Sequence, residues 1–113
     1  MSCIFCRIVR REIPAEIVHE TDAVLAFRDT RPVAPTHVLV VPKRHVEAVR
    51  EAADTDGELL GQVLLGVRDV AQKLGLAHDG YRIVVNNGEA AGQTVFHLHA
   101  PLLGGRGLAW PPG

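Results

Sequence analysis

Two cysteines and two closely spaced histidines hold most of the chemistry available to this 113-residue chain. The stretch Gln93-Thr94-Val95-Phe96-His97-Leu98-His99-Ala100-Pro101-Leu102-Leu103 reads as a strand. Strand side chains alternate between faces, so Val95, His97, His99, Pro101 and Leu103 share one face, and Phe96, Leu98, Ala100 and Leu102 the other. The second is a core face. The first carries two imidazoles side by side, which packing alone does not call for, because histidine is only intermediate in its tendency to be buried. The other group is Cys3 and Cys6. Two thiolates at that spacing can face one ion, and with imidazoles they give a closed tetrahedral zinc site, for which His45 and His97 are the candidate partners. Two other readings stand beside zinc. The cysteines can be small buried residues on an apolar helix, or a redox pair, although no βαβ pattern surrounds the motif as a thioredoxin-like site requires.

These residues need elements to position them. A short helix is expected from about Cys3 to Arg10, capped by Ser2, with Ile4, Phe5, Ile8 and Val9 on its apolar side. Ile17 to His19 and Ala23 to Arg28 read as a hairpin-like pair of strands around Glu20-Thr21-Asp22. His37 to Pro42 is a nearly continuous apolar run, the pattern of a buried strand. From Thr55 the period changes. Leu59, Leu60, Val63, Leu64, Val67, Val70, Ala71 and Leu74 recur at helical steps, Thr55 with Glu58 forms a capping box, and Gly75 is the stop. Gly61 and Gly66 interrupt this helix and offer close approach to another one. Tyr81 to Asn86 is a further strand, residues 87–92 a loop, and residues 107–113 a non-helical tail. Strands, then one long helix, then more strands make an α+β fold with a mainly antiparallel sheet, since parallel pairing would need further crossover helices.

Composition narrows the function. The chain is 47% apolar and 22% charged with a net charge of −1, which gives no electrostatic case for nucleic acid or an anionic membrane. An anionic ligand must be held by local groups. No apolar run reaches the roughly 18 residues of a membrane span, and Met1 to Cys6 lacks the plan of a signal peptide, so a cytoplasmic location and a single domain over 1–113 are expected.

The histidine strand resembles the signature of the histidine-triad (HIT) family of nucleotide hydrolases and transferases, His-x-His-x-His with apolar residues between. His97 and His99 match it, and Pro101 stands where the third histidine belongs. Cys3-Ile4-Phe5-Cys6, Ala26-Phe27-Arg28-Asp29, Ala34-Pro35-Thr36-His37, Pro42-Lys43-Arg44-His45, Gly92-Gln93-Thr94 and Trp110-Pro111-Pro112-Gly113 extend the likeness over nearly the whole chain. The last segment resembles the branch of purine nucleoside phosphoramidate hydrolases. The resemblance implies a five-stranded antiparallel sheet with one long helix and one short N-terminal helix, and a homodimer in which Trp110 approaches the partner's site.

It also implies roles. His99 is the nucleophile on the α-phosphate, its other ring nitrogen donating to a backbone carbonyl, with His97 and His37 as supporting catalytic residues. Gly92, Gln93, Thr94 and Asn86 supply phosphate contacts. Asp29 binds the ribose hydroxyls, and Phe5, Ile8, Ile13, Phe27 and Thr30 lie where the base pocket falls. The ligand implied is a purine nucleoside monophosphate or its phosphoramidate. In members that keep the Cys-x-x-Cys, the last zinc ligand corresponds to His97, an assignment that competes with its place in the active site. Proline has no side-chain donor and no N–H, so a slow enzyme is expected, or a nucleotide-binding protein with little turnover. The strand should bend or lose a pairing at Pro101.

Overall fold

A computed structural model of the chain describes residues 3–113. The sheet has strands β1 (Ile17–Glu20), β2 (Val24–Arg28), β3 (Thr36–Pro42), β4 (Arg82–Ile83) and β5 (Ala100–Gly104) in the order β1-β2-β3-β5-β4, every neighbour antiparallel. A short helix, α1 (Ile4–Val9), lies on one face and a long one, α2 (Gly57–Lys73), on the other. The α+β class, the five strands and both helices are as the sequence and the resemblance imply.

Period-2 alternation sorts the sheet. Val24, Ala26, Val38, Val40, Ala100 and Leu102 point to α2 and pack on Val63, Val67, Val70 and Ala71. Leu25, Phe27, Leu39 and Val41 point the other way and pack on Phe5 and Ile8 of α1. Gly66 is where α2 meets the sheet: a Cβ there would lie 3.0 Å from a Val24 methyl and 3.2 Å from a Val40 methyl. The close approach is therefore to strands rather than to the helix expected, while Gly61 has open space beside it.

Several boundaries moved. Ser2 lies outside the described residues, and α1 is capped by Cys3, whose sulfur accepts from the Cys6 N–H at 3.4 Å. No Thr55–Glu58 box forms. A 3-10 turn over Asp54–Asp56 precedes α2, and the Asp56 carboxylate accepts instead from the Ala53 N–H at 2.8 Å. Gly75 ends α2 as expected, with φ +75°, and the Leu76 N–H closes a Schellman turn on the Ala71 carbonyl. The strand expected over Tyr81–Asn86 shrinks to Arg82–Ile83.

The largest correction is at the histidines. Only Ala100–Gly104 is strand, so residues 93–99 run as an irregular segment, anchored by a bond from the Leu98 N–H to the Val46 carbonyl at 2.6 Å. Pro101 does not disturb β3, with Leu39 opposite Pro101 in an unshifted register, contrary to the expected bend. Its effect falls on the other neighbour. The β4 ladder stops at Ile83 opposite Leu102, and the next pair keeps a single bond, from the Val84 N–H to the Pro101 carbonyl at 3.0 Å, because proline has nothing to return.

Candidate active site and metal centre

Leaving the ladder before Ala100 gives the histidine segment freedom to turn its own carbonyls inward. The His99 Nδ1–H donates to the main-chain carbonyl of His97 at 2.7 Å, which assigns the proton to Nδ1 and leaves Nε2 with a free lone pair. The ring is half-buried, packed edge-on against Phe5 with centroids 5.1 Å apart. Phe5 also touches Phe27 and the His97 ring, at 5.4 and 5.8 Å. Both imidazoles thus face the α1 side, and Leu98 faces α2, as alternation requires. Phe96 does not join the core; it is exposed.

His97 is fully buried and occupies both ring nitrogens differently from His99. Its Nε2–H donates to the Pro42 carbonyl at 2.7 Å, so Nδ1 is a bare acceptor. That atom sits 3.4 Å from the Cys3 sulfur, 3.6 Å from the Cys6 sulfur and 3.1 Å from Nδ1 of His45, and the Cys6 sulfur is 3.4 Å from Nδ1 of His45. All four ligand atoms lie within 4.8 Å of one another. A tetrahedron with metal–sulfur and metal–nitrogen bonds of zinc length has edges of roughly 3.4–3.8 Å, so the four donors fit around one ion. Burial pushes the His97 imidazole below its usual pKa, with His45 and His99 adding to this and the Pro42 bond opposing it. It is neutral, as a ligand must be. In the metal-free protein burial raises the Cys6 thiol, Cys3 adds to the rise and Arg10 opposes it, so metal binding must displace protons.

The HIT domain family matches residues 10–108. The chain belongs to the HIT family. An uncharacterized HIT-like protein of Synechococcus elongatus is 56% identical over 110 residues, 97% of this chain and 96% of that protein. A HIT family hydrolase from Legionella pneumophila superposes with a TM-score of 0.97 at 48% identity, covering 99% of this chain and 100% of its own. A histidine triad nucleotide-binding protein from Candida albicans superposes with a TM-score of 0.84 at 34% identity, covering 97% and 83%. The chain is hydrolase-like in family and fold.

Against the HIT pattern, the remaining candidates divide. His37 stands opposite Leu103 at the far end of β3, and its Nδ1 accepts from the Val33 N–H at 3.2 Å while Nε2 faces Asp29 Oδ2 at 3.5 Å. Its side-chain contacts among the described residues run to the loop that carries Asp29. The other Asp29 oxygen accepts from the Arg31 N–H at 2.7 Å, a turn-forming role that leaves Oδ2 facing His37.

The phosphate-contact set is also redistributed. Gln93 is 2% exposed; its Oε1 accepts from the Gly88 N–H at 2.8 Å, and its Nε2 donates to the carbonyls of Glu47 and Val95 at 2.8 and 3.1 Å. Its own N–H is bonded to the Gly88 carbonyl, and that of Gly92 to Glu89. Gln93 therefore holds the loop together, and the expected donation from Gly92 and Gln93 is already committed. Thr94 is exposed, and its hydroxyl has no hydrogen-bond partner among the described residues; the Asn86 amide lies beside Gly92, 3.4 Å from where a Cβ there would be.

Phe5, Ile8 and Phe27 are core residues of the α1 face, with Ile13 packed at its edge; Thr30 is exposed, and Trp110 is 81% exposed. A cavity of about 430 Å³ is lined by Cys3, Cys6, His45, Arg10, Glu47 and Thr94 among others, so it opens onto the metal cluster; neither His99 nor Asp29 lines it. Sequence reasoning passed over Pro42, Val46 and Glu47, which act through main-chain carbonyls and so leave no mark in side-chain type. The His19 ring is largely covered, with Nδ1 2.7 Å from Lys73 Nζ and Nε2 buried 3.7 Å from Asp69 Oδ2, without a hydrogen-bond partner among the described residues. No helix of the chain is long and apolar enough to cross a membrane, among the described residues.

Proposed function

We propose that this HIT protein is a purine nucleotide-binding hydrolase of the nucleoside phosphoramidase type, with His99 as nucleophile. The bond from His99 Nδ1 to the His97 carbonyl carries this reading, because it leaves Nε2 unprotonated with a lone pair to offer. Nε2 attacks the α-phosphorus as the P–N bond to the amine breaks, forming an N–P bond to the enzyme. The departing amine takes its proton from solvent, since Pro101 has none to give. Water then attacks the phosphorus, the N–P bond breaks, and nucleoside monophosphate leaves with Nε2 restored. The Thr94 hydroxyl and the Asn86 amide are the donors left to meet the phosphate oxygens, Gly92 and Gln93 shaping the loop that carries them. Asp29, oriented by His37, receives the ribose hydroxyls, and Phe5, Ile8, Ile13, Phe27 and Thr30 border the base.

Cys3, Cys6, His45 and His97 hold zinc, which ties α1 to the histidine segment and takes no part in the reaction. The protein works as a cytoplasmic homodimer with Trp110 reaching the partner. Exposed Leu64 and Leu65 on α2, and Ile83 and Val85 at the short β4 edge, support that pairing.

Pro101 favours a second reading, a nucleotide-binding protein with little turnover. Hydrolysis of an adenosine phosphoramidate by the protein, Pro101→His and His99→Ala separates the two. Turnover lost in His99→Ala and raised about 10²–10³-fold in Pro101→His supports the enzyme. Adenosine monophosphate binding without turnover in either the protein or Pro101→His supports the binder.

A further inference from the structure

Both cysteines of the chain stand at the start of α1, three residues apart. Cys3 is the N-cap, with an extended backbone at φ −83° and ψ 123°, and its sulfur folds back over the first turn to accept from the Cys6 N–H at 3.4 Å. The two sulfurs lie within 4.8 Å of each other. On a helix the Cβ atoms of residues three apart are about 5–6 Å apart, against about 3.5–4.5 Å across a disulfide. Rotation of the non-helical Cys3 and a small shift of the cap close that gap. Each sulfur also has an imidazole beside it, Nδ1 of His97 for Cys3 and Nδ1 of His45 for Cys6, both at 3.4 Å. The same two sulfurs can bond to each other or serve one ion as thiolates, and not both.

We propose that Cys3 and Cys6 are a redox-gated pair: hydrogen peroxide converts them to an intramolecular disulfide, which takes both sulfur donors from the Cys3–Cys6–His45–His97 cluster and releases its metal. This rests on the reading of that cluster as a zinc site. One sulfur attacks an oxygen of the peroxide and the O–O bond breaks. That sulfur becomes a sulfenic acid, and the departing hydroxide leaves as water with a proton. The second sulfur attacks the first, an S–S bond forms as the S–O bond breaks, and the second hydroxide leaves as water with a second proton. The two protons come from the thiols in the metal-free protein and from solvent when the sulfurs start as thiolate ligands. The two sulfurs lose two electrons, and the peroxide takes them. His45 and His97 remain, two donors where a closed tetrahedral site needs four. The reaction has an entrance, because Cys3 and Cys6 are half-buried and line the cavity of about 430 Å³ together with exposed His45. It has no competitor within the chain, which holds no third cysteine. The fold survives it, since Phe5 and Ile8 still pack α1 on Leu25, Phe27, Leu39 and Val41.

The full chain, reduced, loaded with zinc and freed of reductant, is treated with hydrogen peroxide at a fixed pH of about 8. The intact mass should fall by two hydrogens per chain with no covalent dimer, and a peptide digest should place the cross-link between Cys3 and Cys6. A chromogenic chelator should record about one zinc released per chain in step with the loss of thiols. Dithiothreitol followed by zinc should restore the loaded form. Cys6→Ser should form no disulfide, its remaining thiol gaining oxygen instead. His45→Ala keeps both thiols with one metal ligand fewer, and should still form the disulfide. Thiols that survive peroxide sufficient to oxidise dithiothreitol overturn the proposal. So do thiols that gain oxygen without an S–S bond in the intact chain, a disulfide that joins two chains, or zinc that stays bound after the disulfide has formed. If the reduced protein binds no zinc while the disulfide forms and reverses, the redox pair stands and the zinc reading falls.

Discussion

The two faces of the sheet are built from different materials. Against α2 the buried side chains are valines, alanines and leucines, Val24, Val38, Val40, Val67, Val70 and Leu102 among them fully buried, with Tyr81 packed at the edge. Against α1 the same strands present Leu25, Phe27, Leu39 and Val41, and then the packing gives way to two imidazoles and two thiols around Phe5. The α2 face is close-packed hydrocarbon, which yields stability and no chemistry. The α1 face buries polar atoms only where each has a partner, and that requirement arranges the candidate site.

This division is open to direct attack. His99→Ala should abolish phosphoramidate turnover while lowering unfolding free energy by only about 1 kcal/mol, the worth of one hydrogen bond. Leu102→Ala should do the reverse, costing about 3 kcal/mol in denaturant unfolding with kcat of the folded protein unchanged. If the two variants behave alike, the faces are not separable. Gly66→Ala is a finer probe of the α2 face. Alanine favours the helix by about 1 kcal/mol, but its methyl would press on Val24 and Val40, where overpacking costs about 1–3 kcal/mol. A net loss of about 1 kcal/mol in urea is expected, and a gain would mean the helix shifts freely on the sheet.

The smallest effect should come from pH. His97 has a folded pKa below its unfolded value of about 6.5, so the unfolded chain binds its proton first as pH falls. The His97 contribution is whole above about 6.5 and is lost as pH drops through the lower, folded value. Urea midpoints of the metal-free protein should therefore decline below about pH 6.5, and Leu102→Ala should decline in parallel because the substitution removes no titrating group. A flat profile would place the charge elsewhere.

Much of the architecture is legible from pattern. The three- and four-residue steps from Leu59 to Leu74 place α2, Gly75 ends it, and the valine run after His37 places β3, because burial on one or two faces leaves a periodic trace. Cys3, Cys6, His45 and His97, a cluster that could hold a metal ion, are legible as donor types. Less legible is Gln93, whose amide suits a phosphate yet is committed to Gly88, Glu47 and Val95. The length of the histidine strand also escapes, because alternation of side chains persists through residues 93–99 although the backbone has left the ladder.

The sequence by itself determined the α+β order, the two faces, the thiol and imidazole donor types and the absence of a third imidazole at Pro101. Only the tertiary structure decided how His97 and His99, two residues apart, divide the work. His97 turns its ring to Pro42, Cys3, Cys6 and His45, and offers its main-chain carbonyl to His99. The physical reason is that these bonds join segments far apart in the chain, several through backbone carbonyls that every residue possesses, so side-chain type gives no sign of which carbonyl will be turned inward.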